Sequence, residues 1–375
     1  MNTILSIAIA ITLFTSLVIV IRFAGLRLSG TDPLPLTAFM AILFTSGLDV
    51  GLIMFPLTEF PVYETEAPYG FTNALAIEFG FWGFLVWAFY FLTTFYFCVV
   101  EPRLKLFEIP WVKLINSGVI IATCAFTGYL FLSYLPSYID GISDPFRYGL
   151  VAVVVLLAVL SSTDIRYVKW LGLGSSALFF GLIALLWLMS GAGISGLAES
   201  AANIRGYFAN LPKFTHPLTD YHAFYLFWWF AWSIMIGQFV ARFVGGMRTW
   251  QLLTALLIIP SIPIALWFSV LYIYHTNGIE LAGTLQLCMV VVGVIFVVNS
   301  LDSLTRLYSE NLNLTVARLG GPGYVMSHWT LLFGLILLYQ FTPLKIEWIG
   351  LVVIGLYCAL YALTFAKRDR LKAAA

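Results

Sequence analysis

Residues 224–249 read FYLFWWFAWSIMIGQFVARFVGGMRT, which puts Trp228, Trp229 and Trp232 within five positions of one apolar stretch. The chain has 12 tryptophans in 375 residues, so this density stands out. On a helix, Trp228 and Trp232 lie one turn apart with Trp229 beside them, and the indoles line one face. Indole faces attract cations through the ring quadrupole. A trimethylammonium group has no N–H to donate, so π faces and shape are what can hold it. The plainer reading is packing or lipid-facing aromatics, which membrane helices carry in belts near their ends. The mid-run position of these three argues against that reading.

A second candidate is Asp49, which lies between Gly47 and Gly51 in another apolar stretch. An acid at bilayer depth is costly and marks a functional position. It can bind a substrate cation, carry a proton or add a ligand to an ion. The structural alternative is pairing with backbone amides at a helix break. Thr123 and Thr127, one turn apart, have the spacing of a second cation site, but hydroxyls so placed more often bond their own helix carbonyls. The four histidines (His216, His222, His275, His328) are scattered and read as interface residues near helix ends. No Ser/His pair or His-rich cluster supports an enzyme.

The elements that must position these residues follow from composition. Hydrophobic residues make up 61% of the chain and charged residues 10%, against about a quarter charged in soluble domains. Apolar runs of roughly 20 residues recur from end to end, the signature of spanning helices. The expected fold is an all-α polytopic membrane protein of about 11 transmembrane helices, at about 3–24, 36–57, 77–99, 112–136, 146–162, 167–190, 222–245, 248–275, 283–309, 325–342 and 346–367. Residues 195–211 are too short and polar to span and read as an interfacial helix. The first run lacks a basic leader and a cleavage site, so it reads as a retained helix. A net charge of +1 gives no basis for nucleic-acid binding. Alternate loops hold the basic residues, Arg22 and Arg27, Arg103 to Lys113, Arg166 and Lys169, Arg242 and Arg248, and Lys367 to Lys372. Glu59, Glu64 and Glu66 mark an intervening acidic loop. The positive-inside rule then puts the N-terminus outside and the C-terminus in the cytoplasm. The second and seventh runs look interrupted, at Gly47–Gly51 and at Gly237. They lie five helices apart, as in an inverted-repeat transporter with a midplane site. The alternative is glycine-mediated helix packing.

Several segments resemble the betaine/carnitine/choline transporter family. The Trp-rich run ending in Gly-x-Arg-Thr resembles its signature helix. RFAGLRLSGTDPLP and FTSGLDVGLIMFPLTEFP resemble the loop and glycine-stretch helix. FWGFLVWAFY, YVKWLGLGSSAL and FVVNSLDS resemble later segments. The resemblance covers essentially the whole chain. It departs at Leu226, where the signature often has Trp, at Ile234 for Pro, at Phe81 for His, and at Glu59-Phe60-Pro61 for Glu-Pro. It implies a LeuT-like core of ten helices in two inverted five-helix repeats. One N-terminal helix and loop (1–30) would precede the core (31–370), with repeats at about 36–190 and 222–367. The family usually has two helices before its core, so this chain reads as a shortened member.

The resemblance also implies roles. Trp82, Trp87 and Tyr90 would form one wall of an aromatic box, Trp228, Trp229 and Trp232 the other, with Asp49 as a further substrate-binding candidate. A sodium site would use the backbone carbonyls of Thr45, Leu48 and Phe296 and the side-chain oxygens of Asn299 and Ser300. Ser175 stands where sodium-independent members carry an arginine, so a coupling cation is expected, sodium first and proton second. Asp302 would be structural or gating, and Arg242 and Arg248 anchors or gate partners. The expected function is cation-coupled uptake of a betaine-type or quaternary-ammonium solute (glycine betaine, choline, carnitine or a sulfonium analogue) through the cell (inner) membrane, with no cofactor. The bilayer and this solute are the expected partners, and family members often form trimers, so a homotrimer is expected. The alternatives are an ion-independent exchanger of such solutes or a transport-incompetent binding receptor.

Overall fold

The computed structural model describes every residue except 47–49, 165 and 374–375, and does not describe the side chains of 41, 42, 44–46, 168, 169 and 371–373. Ten of the described helical stretches are long and apolar enough to cross a membrane. Helix α1 (Asn2–Phe23) leads into a short strand β1 (Arg27–Ser29). The described parts of the second span are α2 (Leu36–Ser46), α3 (Val50–Met54) and α4 (Pro56–Thr65), the last two separated at Phe55. The third comprises α5 (Ala74–Trp82), α6 (Trp87–Phe95) and a π-helical turn ending in α7 (Glu101–Leu104). Then come α8 (Pro110–Tyr134), α9 (Asp144–Ser161), α10 (Arg166–Ser190) and the short α11 (Gly193–Ala202) and α12 (Arg205–Ala209). After them follow α13 (Asp220–Ala241), β2 (Gly245–Arg248), α14 (Thr249–Ile258), α15 (Ser261–Thr276), α16 (Thr284–Leu312), α17 (Val316–Leu319), α18 (Gly321–Phe341) and α19 (Ile346–Ala366).

In α1, Leu5, Ile9, Thr12, Ser16 and Ile19 are buried at helical spacing, while Ile7, Phe14 and Ile21 face outward. The buried stripe lies on α6, where the Ser16 hydroxyl reaches the Ala88 carbonyl at 3.4 Å. The ribbon of β1 and β2, with Arg27 opposite Arg248, ties the loop after α1 to the loop after α13. Periodicity gave no sign of it, because each strand is only three or four residues long.

The breaks have local causes. Pro56 opens α4 and has no N–H, so the Leu52 carbonyl loses its helical donor. The Trp267 indole N–H from α15 takes its place at 2.7 Å. The Met54 carbonyl accepts from the Tyr138 hydroxyl at 2.6 Å. In apolar surroundings these substitutes are what makes a broken helix tolerable.

The third span is also broken, contrary to the continuous helix expected over 77–99. Gly83 is extended and Phe84 has φ 46°, so α5 stops at Trp82 and α6 begins at Trp87. The Phe84 N–H goes to Ser261 Oγ at 2.8 Å and the Leu85 N–H to the Tyr207 hydroxyl at 3.2 Å.

The seventh span is not interrupted. Helix α13 runs unbroken past Gly237, where the family's Pro is replaced by Ile234. A Cβ at Gly237 would collide with Thr93 of α6, and the Thr93 hydroxyl bonds the Ser233 carbonyl at 2.7 Å. Gly237 therefore serves close helix packing. The expected span 248–275 is likewise two helices, α14 and α15, meeting at Pro260.

Helix α8 lies against α16 at the middle of the bundle. Other pairs recur with a five-span offset: α8 with α18 and α16 with α9, α13 with α19 and α10 with α2, α6 with α13 and α4 with α15.

Candidate functional site

Helices α5, α6 and α13 bring four of the expected aromatics together. Trp228 and Trp229 lie parallel, with centroids 5.6 Å apart and 10° between planes. Trp82 stands nearly perpendicular to both, 5.4 Å from Trp228 and 5.2 Å from Trp229. Tyr90 lies 6.2 Å from Trp229. Trp87 reaches the group only through Tyr90, at 5.1 Å, and its indole N–H bonds the Trp82 carbonyl at 3.1 Å across the helix break. Trp232 is buried, but its ring pairs with none of the other five among the described residues. Phe55 and Tyr225 complete the corner, each about equally near Trp82 and Trp228, at 6.1 and 6.2 Å and at 5.8 and 5.8 Å. Sequence reasoning missed these two. Phe55 comes in because Pro56 turns the chain there, a fact no spacing rule carries.

The indole N–H groups of Trp228, Trp229 and Trp232 are buried and meet no acceptor among the described residues. A buried donor without a partner is costly. Two of these donors, on Trp228 and Trp229, belong to the corner.

Directly beside it lies a cluster of acids and phenols. Glu59 was read as a loop acid, but it is 3% exposed inside α4, and Glu78 of α5 is fully buried. Glu59 accepts hydroxyls from Tyr63 at 2.5 Å, Tyr225 at 2.8 Å, Tyr134 at 3.2 Å and Tyr221. Tyr63 also lies 2.8 Å from Glu78. The signal was available in the four-residue spacings Glu59/Tyr63, Tyr221/Tyr225 and Glu78/Trp82, each one helical turn.

Of the expected ion ligands, Phe296, Asn299 and Ser300 are buried on α16. That helix packs on α2 and α3, and Gly293, one turn earlier, faces Val50 and Met54. Leu48 and Asp49 lie outside the described residues, as does the side chain of Thr45. Ser175 is buried, with its hydroxyl on the Leu171 carbonyl at 2.5 Å. The Thr127 hydroxyl turns to the Thr123 carbonyl of its own helix.

The remaining polar residues tie elements together. Asp302 accepts from Ser161 at 2.8 Å and Arg306 at 2.9 Å, and Arg242 pairs with Glu310 at 2.8 Å. His222 and His328 are buried rather than interfacial. His222 stacks on Phe81 at 4.6 Å, and His328 lies between the Tyr308 hydroxyl and the Leu314 carbonyl.

Residues 118–281 match the profile of the BCCT, or betaine/carnitine/choline, family of transporters. The glycine betaine transporter OpuD of Bacillus subtilis is 26% identical over 285 residues, covering 63% of this chain and 54% of its own length. Glycine betaine transporter 1 of Vibrio parahaemolyticus is 24% identical over 309 residues, covering 69% of this chain and 58% of its own. The chain thus spans about half the length of the curated relatives it matches. A solved Na+-coupled sialic acid symporter in a substrate-bound outward-open state aligns over 95% of this chain and 82% of its own, at 14% identity and a TM-score of 0.47.

Proposed function

We propose that this chain, a relative of the betaine/carnitine/choline family of transporters, is a secondary active transporter that takes up a betaine-type solute by cation-coupled alternating access. The carrying observation is the corner of Trp82, Trp228 and Trp229, where two parallel indoles meet a perpendicular third at 5.2–5.4 Å. Such a corner suits a quaternary ammonium, and the buried indole N–H groups of Trp228, Trp229 and Trp232 suit a carboxylate on the same molecule. That combination favours a zwitterion such as glycine betaine or carnitine over choline. Tyr90 extends the wall, with Trp87 supporting it from behind.

The five-span recurrence of helix contacts supports an inverted-repeat core, with repeats at about 36–190 and 222–367. Alternating access would then rock the broken second and third spans and α13 against the α8–α16 pair. Sodium is the first choice of coupling ion. Its ligands would be the carbonyls of Thr45, Leu48 and Phe296 and the side chains of Asn299 and Ser300, and the packing of α16 on α2 and α3 supports that arrangement. Asp49 would add a ligand or carry a proton. The basic loops support an N-terminus outside and a C-terminus in the cytoplasm, and a homotrimer in the cell membrane is the assembly we propose.

The test is uptake of labelled glycine betaine and choline into proteoliposomes, with sodium and proton gradients imposed separately. Sodium-driven betaine uptake, lost in Trp229→Ala, supports the reading. Uptake driven only by a proton gradient and lost in Asp49→Gly moves the coupling to that acid. Counterflow without either gradient makes the protein an exchanger, and binding without flux makes it a receptor.

A further inference from the structure

The Tyr63 hydroxyl stands 2.5 Å from Glu59 Oε2 and 2.8 Å from Glu78 Oε2. A phenol carries one proton and donates it to one acceptor. The second contact therefore needs its proton on the carboxyl side. Glu59 already receives the hydroxyls of Tyr63, Tyr134, Tyr221 and Tyr225 on its two oxygens, which fills the accepting capacity of an ionised carboxylate. Glu78 is thus the acid that donates, to the Tyr63 oxygen.

A separate observation agrees. Glu78 is fully buried, and its Oε1 and the Trp82 indole N–H have no hydrogen-bond partner among the described residues. A neutral carboxyl tolerates such a place, whereas an anion would sit there with its charge uncompensated.

Among the described residues no lysine or arginine is a partner of either acid, and α12, which packs on α5, brings the buried Tyr207 and the exposed Arg205. From α4 and the turn after it, the facing groups are Tyr63, Glu66 and Tyr69, the last with its hydroxyl on Thr219. From α8 and the turn that follows it come Tyr134 and Tyr138. Helix α13 brings Tyr221, Tyr225 and His222, and the ring of His222 accepts from the Leu218 N–H. Helix α15 brings His275, which is engaged with Glu64 at 3.0 Å. No lysine or arginine is a hydrogen-bond or ion-pair partner of the two acids among the described residues.

We propose that Glu59 and Glu78 hold one exchangeable proton between them across Tyr63, a proton-binding site that governs how the N-terminal end of α13 closes on α4, α5 and α8. With the proton in place, Glu78 donates to Tyr63, Tyr63 donates to Glu59, and Glu59 gathers the phenols of α8 and α13. When base removes the proton, the Glu78 O–H bond breaks and the proton leaves as water. Two buried anions then compete for the Tyr63 donor, and the hold on Tyr221 and Tyr225 weakens. Tyr225 touches Trp82 and Trp228, and Glu78 lies one turn before Trp82, so the aromatic corner feels the change directly. None of this depends on the transport reading.

The experiment is infrared difference spectroscopy of the full chain in lipid nanodiscs, neutral against alkaline, with no solute added. The expected result is a protonated-carboxyl C=O band in the wild type at neutral pH that is lost on alkalinisation and absent from Glu78→Gln, where the amide mimics the neutral acid. Tyr63→Phe, which removes the bridge and keeps the ring, is expected to shift that band. The alkaline change in tryptophan fluorescence is expected to disappear in Glu78→Gln. If Glu78→Gln does not fold, Glu78→Asp replaces it, and the band must then move in frequency. A wild type without the band, or a band unchanged in the Glu78 and Tyr63 variants, overturns the proposal. Failed uptake with the band intact would overturn the transport reading and leave this site standing.

Discussion

Asp302 and Glu59 are both buried acids within the helical bundle, yet they meet different partners. Asp302 faces the Arg306 guanidinium at 2.9 Å, and Arg306 also donates to the Ser161 and Asp164 carbonyls at 2.5 and 2.7 Å. Among the described residues Glu59 meets phenol hydroxyls and a second acid, Glu78, with no arginine or lysine among its partners. Arginine stays charged at every pH a protein survives. The Asp302 end, which joins α9 to α16, is therefore a fixed clamp. The Glu59 end, which joins α4, α5, α8 and α13, depends on a proton.

The comparison breaks most visibly if the clamp is cut. Arg306→Met leaves Asp302 buried without its cation, and we expect a loss of about 3–5 kcal/mol, seen as a large fall in the Tm of the purified protein. Adding Asp302→Asn is expected to restore most of it. A variant as stable as wild type would mean the two acids are not held differently.

At the other end, Tyr225→Phe keeps the ring against Trp82 and Trp228 but removes one donor to Glu59. The expected cost is about 1.5–3 kcal/mol, the range for a hydrogen bond to a charged group, read by thermal unfolding at neutral pH. The same substitution in Glu78→Gln tests whether the phenols and the acid pair act as one network, through the deviation from additivity.

Trp229→Ala removes a buried ring and should lower Tm, by about 3–5 kcal/mol of stability, and should weaken betaine binding by the folded protein by about 2 kcal/mol, roughly 30-fold, measured by equilibrium binding of the labelled solute. Trp87→Ala, whose ring reaches the corner only through Tyr90, should weaken binding less. Equal losses would mean that the wall is wider than the Trp82, Trp228 and Trp229 corner.

The smallest effect concerns the exposed loop beside the clamp. The Arg166 side chain and its backbone N–H hold the Asp164 carboxyl down at about 2. A carboxyl held below its ordinary range contributes above that range and loses its contribution only as the pH falls toward 2. The difference in melting between wild type and Asp164→Asn should therefore stay constant between pH 6 and about pH 4 and shrink only below that. A difference that changes with pH inside that window would show Asp164 to be part of the clamp.

The composition and the roughly 20-residue apolar runs determined an all-α polytopic membrane protein by themselves, because only helices satisfy their own backbone in lipid. The tryptophan run and its matching segments likewise made the resemblance to the betaine/carnitine/choline family legible, since side-chain chemistry and spacing are written in the chain. Helix continuity was not. Gly237 and Gly83 are the same residue in similar apolar surroundings, yet one lies in an unbroken helix and the other ends one. What separates them is the Thr93 hydroxyl waiting for α13 in one case and the Ser261 and Tyr207 hydroxyls waiting for freed N–H groups in the other. Glu59 was misread for a related reason. Beside Pro61 and before Glu64 and Glu66 it looks like part of an acidic loop, and only the convergence of Tyr134, Tyr221 and Tyr225 from other spans makes its burial possible. Sequence determines what each residue can offer, but whether a buried polar group finds a partner depends on elements more than 70 residues away, and that only the tertiary structure decided.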